Sequence, residues 1–167
     1  MTDAPTFRDR FAAYLNRPVA LAAAKSLKNG AAIELKILVS GAEQAPEVER
    51  LMFYRESGEN RVADAHSLDV PGDPQLRFSI PQAAAEELLT HPSDELGATG
   101  VQILKLILSH ETDKKIGFKI EAGFLSLWSK GYFGVLTEGG KDFWAFLASK
   151  GLNGMEAVQA VLKKKKK

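Results

Sequence analysis

Few residues in this chain could make or break bonds, and their spacing works against most such chemistry. There are three histidines, His66, His91 and His110, and no cysteine. The missing cysteine removes disulfides, thiolate nucleophiles, iron–sulfur clusters and cysteine-based zinc sites. The histidines fall on different expected elements, with no metal-ligand spacing between them. Asp64 and His66 stand two apart on an expected strand, where alternate residues share a side. Two exposed polar positions account for that pair better than a metal site does. No Gly-x-Ser-x-Gly elbow and no phosphate-binding Gly-x-x-x-x-Gly-Lys loop occurs. Carboxylate pairs such as Glu86 and Glu87 read as a solvated helix face. The expectation is a protein that is not an enzyme and carries no cofactor and no metal.

Charge narrows the partners. The 167 residues carry a formal charge of +1, with 22 lysines and arginines against 21 acids. Lys163, Lys164, Lys165, Lys166 and Lys167 supply five of those positive charges, so residues 1–162 sum to −4. A mildly acidic body with a basic tail argues against a whole-domain nucleic-acid binder. Two Gly-x-x-Gly strings, at 97–100 and 131–134, hold no internal basic residue to meet a phosphate backbone. They read as backbone-shaping positions, and no nucleic-acid partner is expected. The lysine run has three readings. Each lysine could add about 1 kcal/mol of attraction to an anionic membrane, or the run could steer an acidic protein partner. It could equally be a solvated tail whose first residues favour the negative end of a last helix dipole.

The elements that would position any site follow from periodicity. With 45% hydrophobic and 26% charged residues, the composition is that of a single globular domain. A domain of this length buries roughly 70% of the surface its unfolded chain exposes. The charged N-terminus lacks the apolar run of an export signal, and no stretch approaches the ~18 uninterrupted apolar residues of a membrane span. A cytoplasmic location is expected. Apolar spacing of three and four predicts helices over 6–16, capped by Thr6, and over 18–28, opened by Pro18. Together they make up an N-terminal segment, 1–30. Alternation then predicts a strand from Ala32 through Val39, a second over 48–56, a third near 61–68 and a fourth over 75–80. The first three should form an antiparallel meander. Pro81 opens a helix to Thr90. Residues 99–109 form a helix that is apolar on most faces, and 114–122 is a fifth strand. A long apolar helix follows from Phe124 to Leu136, then extra C-terminal helices over 139–162. The predicted fold is α+β, a five-stranded, mostly antiparallel sheet with helices packed on one face.

The largest apolar mass is the aromatic group Phe124, Trp128, Tyr132, Phe133, Phe143, Trp144 and Phe146. Core packing is the ordinary use of such residues. Here strand 116–120 and helix 99–109 bring apolar surface too, and one sheet face must serve them all. These helices either pack as a second layer or enclose a cavity.

This order of elements resembles the sterol carrier protein 2 family of small lipid-binding domains. Ala63 and Asp64 at the third strand carry the likeness. So does 75–89, where a strand runs into a helix after Pro81. So too does 115–123, Lys-Ile-Gly-Phe-Lys-Ile-Glu-Ala-Gly, leading into the apolar helix from Phe124. It covers about residues 32–136; the stretch between Leu89 and Ile116 and the helices after Gly139 depart from the family pattern. The resemblance implies a non-catalytic domain holding a fatty acyl chain, sterol or phospholipid in an apolar tunnel. Such a site works by burial, at about 25 cal/mol per Å² of apolar ligand surface. Inward positions on the expected elements give the lining: Leu104, Leu108, Phe118, Ile120, Leu127, Trp128 and Val135. The partner is then a lipid or other hydrophobic small molecule, with the tail making transient contact with an anionic membrane surface. The alternative is a protein-interaction module that uses exposed apolar helices and the basic tail.

Overall fold

The computed structural model describes residues 4–132 and 134. The expected helices over 139–162, the lining position Val135 and the lysine tail lie outside the described residues, as do Phe133, Phe143, Trp144 and Phe146.

Helix α1 (Phe7–Leu15) begins where its sequence can satisfy its own first turn. Thr6 accepts the Asp9 N–H on its hydroxyl (3.1 Å) and donates its own N–H to the Asp9 carboxylate (3.4 Å). This reciprocal pair fixes the start of the helix. Pro18 opens α2 (Pro18–Ala24), which is shorter than its alanine content predicts. Strands β1 (Ala32–Leu38), β2 (Glu47–Glu56) and β3 (Glu59–Asp64) form the predicted meander. Ser57 (φ +53°) and Gly58 (φ +78°) make the tight turn between β2 and β3, the two-positive-φ geometry whose twist matches the strands it joins. The third strand ends at Asp64, four residues before the expected end. There Asp64 turns its carboxylate onto the His66 N–H (2.8 Å), a local turn that competes with strand pairing.

The connection after β3 crosses to the far side of β1, so β4 (Leu76–Pro81) runs parallel to β1. β5 (Gly117–Ile120) then pairs antiparallel with β4, giving the order β3-β2-β1-β4-β5. The class is α+β, and the sheet is mixed, with one parallel pair in an otherwise antiparallel array. Between β4 and β5 lie α3 (Gln82–Thr90), α4 (Leu96–Ile107) and a 3-10 turn (Thr112–Lys114). That turn shortens the fifth strand relative to expectation.

One sheet face carries the core. Leu35, Ile37, Leu51 and Ile80 meet Phe11 of α1, Ala84, Ala85 and Leu88 of α3, and Leu106 of α4. A bidentate pair from Arg10 to Glu86 (2.6 and 2.8 Å) ties α1 to α3 across this cluster. Arg55, also on this face, is buried beside the C-terminal end of α1. Its guanidinium donates to Asn60 Oδ1 (2.7 Å), and Asn60 donates to the Leu15 carbonyl (2.7 Å). The partial negative charge of a helix C-terminus favours a cation placed there.

The expected long helix from Phe124 is interrupted. α5 runs only Phe124–Ser129, and Gly131 then adopts φ +87°. A Cβ at Gly131 would run into the Ser26 carbonyl, so the turn fits only because this residue has no side chain. The turn is fastened by Lys28 N–H to the Lys130 carbonyl (2.9 Å) and by the Ser26 hydroxyl to the Gly131 carbonyl (3.1 Å). It delivers Tyr132 to a buried polar knot. Gln75 Oε1 accepts from the Ala32 N–H (2.7 Å) and from the Tyr132 hydroxyl (2.8 Å). The Gln75 backbone pairs with Ala32 on one side and with Glu121 and Ala122 on the other. Burial pushes the Tyr132 phenol well above its ordinary value, so it stays a donor.

Replacing Gln75 by Leu strands the Ala32 N–H in the interior and leaves the Tyr132 hydroxyl only the Ala32 carbonyl, 3.2 Å away. It should cost about 1–3 kcal/mol in denaturant unfolding, against about 1 kcal/mol for Tyr132→Phe. Arg10 holds the Glu86 carboxyl below the usual carboxylate range, chiefly through its hydrogen bonds. That stabilisation is present above the unfolded-state value and is lost as pH falls through the lowered one. The pair is partly solvated. Glu86→Gln should therefore cost at most about 1 kcal/mol at pH 7, a difference that closes in acid unfolding curves as pH falls through the lowered value.

Candidate functional site

α4 answers the question its sequence poses, how a helix apolar on most sides can be placed. At 100° per residue it carries two apolar faces. The first holds buried Leu106 with Ile103 and Ile107, packed on the core beneath α3. Gln102 beside them donates to the Glu87 carbonyl (3.4 Å). The second holds Val101 and Leu104, with Leu108 just past the helix end. Val101 and Leu104 are half-buried and Leu108 is 40% exposed. Among the described residues this second face joins none of the three apolar clusters.

The other expected lining residues divide. Ile120 and Leu127 meet in a second cluster with Ala24, Leu27, Phe53 and Tyr132, and Leu127 is only 3% exposed. Phe118 stacks on Phe78 of the neighbouring strand, ring centroids 5.9 Å apart and planes 26° from parallel. Both rings are half-buried, on the helical side of the sheet. Trp128, expected inward, is 62% exposed, and Leu125 on the same side of α5 is 80% exposed. A six-residue helix held at its end by the Gly131 turn can bury only one side, and Leu127 takes it. The structure thus brings Ile120 and Leu127 together and places Leu104 and Leu108 on one helix face.

Two open concavities of about 370 and 430 Å³ lie along the opposite sheet face. They share Ser79 and Gly117, whose small size leaves the depression between β4 and β5. Below them, Ala65 and Val70 of the β3–β4 connection cover Ala32, Met52 and Tyr54. The uncovered part is charged. Glu34, nearly buried, accepts two hydrogen bonds from Arg77 (3.0 and 3.1 Å). Arg77 Nε also lies 3.1 Å from Glu121, but off its N–H direction. Lys119 pairs with Glu121 at 3.3 Å. Alternation names Glu34, Lys36 and Arg50 as outward positions. Their meeting with Arg77 and Ser79 depends on the parallel placement of β4, which no local pattern specifies.

His66, His91 and His110 are exposed, and they stand on a loop, at the end of α3 and beyond α4. Among the described residues no three histidines or carboxylates are grouped to hold a metal ion, and no helix is long and apolar enough to cross a membrane. No family model matches the chain, and no curated protein or solved structure matches it either.

The two faces of α4 should respond differently to truncation. Leu106→Ala should cost about 2–5 kcal/mol in unfolding experiments, as filled core positions do. Leu104→Ala, on the face without a cluster, should cost less than about 1 kcal/mol.

Proposed function

We propose that this protein is a non-catalytic carrier of an apolar ligand, a fatty acyl chain, sterol or phospholipid, of the sterol carrier protein 2 type. The observation that carries the reading is the second apolar face of α4. Val101, Leu104 and Leu108 are spaced to cover a ligand, and they lie outside every apolar cluster of the described residues. The half-buried Phe78–Phe118 stack adds apolar surface on the same side of the sheet. The element order supports the reading as well. Helices precede three antiparallel strands, β4 runs through Pro81 straight into α3, and the fifth strand leads into an apolar helix. Burial would drive binding, each buried methylene contributing about 0.8 kcal/mol. The lysines at 163–167 would add attraction to an anionic membrane during loading and release.

The exposed side of α5 favours a second reading. Leu125 and Trp128, three residues apart, present apolar surface of the kind a protein partner covers. On that reading the chain is an interaction module, and removal of residues 163–167 separates the cases. Lost partner binding with unchanged liposome association speaks for the module. Lost liposome association speaks for the carrier.

Titration with a fluorescent fatty acid tests the carrier reading directly. Leu104→Trp should weaken binding by about tenfold or more while leaving the unfolding midpoint nearly unchanged. Equal binding by wild type and variant, or none by wild type to acyl, sterol and phospholipid probes, would overturn it.

A further inference from the structure

The uncovered sheet face holds a charge arrangement that the fold compensates only in part. In the register of β1 and β2, Lys36 stands directly opposite Arg50. Like charges placed so in an antiparallel pair repel and destabilise the sheet. Arg50 is answered by Glu47, through bonds of 3.0 and 2.8 Å. The nearest strand neighbour with a carboxylate, Glu34, is committed to Arg77. Lys36 is half-buried, and among the described residues its ammonium has no ion pair and no hydrogen bond. On its other side the register sets it beside Ser79, whose hydroxyl has no partner there, and Ser79 beside Gly117. A half-buried ammonium next to a second cation, above a floor of small residues, breaks a local rule with no structural gain. Such violations are expected where a ligand supplies the missing charge.

We infer that this depression is a binding site for a small phosphate-bearing anion, with the Lys36 ammonium and the Ser79 hydroxyl as direct contacts. Arg50, shared with Glu47, stands behind them as a positioning charge. The chemistry fits a phosphate because an ammonium and a hydroxyl supply several donors to one multiply charged oxyanion, with a guanidinium charge behind them. Lys115, with no ion pair among the described residues, extends the positive potential along the adjoining concavity that Ser79 and Gly117 also line. Against a body of net charge −4 over residues 1–162, the concentration of cations here is a local feature and no average property of the surface. About 370 Å³ accommodates a phosphate with a small organic body. The site lies on the opposite sheet face from the apolar surfaces of α4 and stands independently of the carrier reading.

The test is a titration of the full chain, followed by amide chemical shifts, with two probes: inorganic phosphate, and vesicles containing phosphatidic acid. Shifts should concentrate at Lys36, Ser79 and Gly117. Lys36→Gln should weaken binding by about tenfold, Lys36→Arg should retain it, and Lys28→Gln, on a distant loop, should leave it unchanged. Tighter response to inorganic phosphate would mark a soluble ester as the source, and tighter response to vesicles would mark a lipid headgroup. Removing the repulsion should also leave the Lys36→Gln unfolding midpoint equal to or above that of wild type. The inference is overturned if neither probe shifts these amides, if Lys36→Gln binds as wild type does, or if Lys36→Gln is the less stable protein.

Discussion

The sheet depends on one buried amide. Gln75 sits where the chain, having left β3, returns to open β4, and its side chain closes on the first residue of β1. The backbone N–H of Ala32 lies ahead of the parallel ladder and has no strand partner for itself; Gln75 Oε1 gives it one at 2.7 Å. The same oxygen receives the Tyr132 hydroxyl, and the Gln75 carbonyl receives the N–H groups of Glu121 and Ala122 as they leave β5. One residue therefore registers β1 against β4, β4 against β5, and the turn after α5 against all three. A buried polar group left unpaired costs free energy comparable to a lost hydrogen bond or more, so these elements hold their places together or not at all.

From that knot the two sheet faces diverge. On one, α1, α3 and the first face of α4 seal a core around Leu35, Ile37 and Ile80. The second face of α4 and the exposed side of α5 keep apolar residues outside the clusters of the described residues. On the other face, the crossing connection covers Ala32, Met52 and Tyr54 and stops short of Lys36 and Ser79. The part left open is charged, and within it Lys36 and Arg50 stand side by side. Two unlike surfaces, one apolar and one charged, thus lie on opposite sides of a single thin sheet.

Much of this was legible in the sequence, for reasons of period and punctuation. Ile33, Leu35 and Ile37 alternate, Thr6 and Asp9 stand at capping-box spacing, and Pro81 marks the passage from strand to helix, so α1, β1, β2, β4 and α3 emerge within a few residues. Other features depend on contacts remote in sequence. Whether β4 joins β1 parallel or adds to the meander is not written in either strand. The break at Gly131 was hidden because Phe124, Leu127, Trp128 and Tyr132 keep helical spacing through it. Only the approach of Ser26 makes that glycine a turn. For the candidate site, helical spacing correctly marked α4 as apolar on most sides. It could not assign Leu106 to the core and Leu104 to the other face, because that choice belongs to α3 and the sheet beneath. Trp128 reads as an inward residue by type, but Leu127 occupies the one side that α5 can bury.

The reading proposed above is that the apolar surfaces of α4 and its neighbours serve a bound lipid. Native mass spectrometry of gently purified protein, followed by solvent extraction and identification of what is released, addresses it most directly. The expected result is a population heavier than the bare chain by the mass of a fatty acid, sterol or phospholipid, collapsing to the bare mass after extraction. A single species at the bare mass that takes up no lipid on incubation with a mixed extract would contradict it.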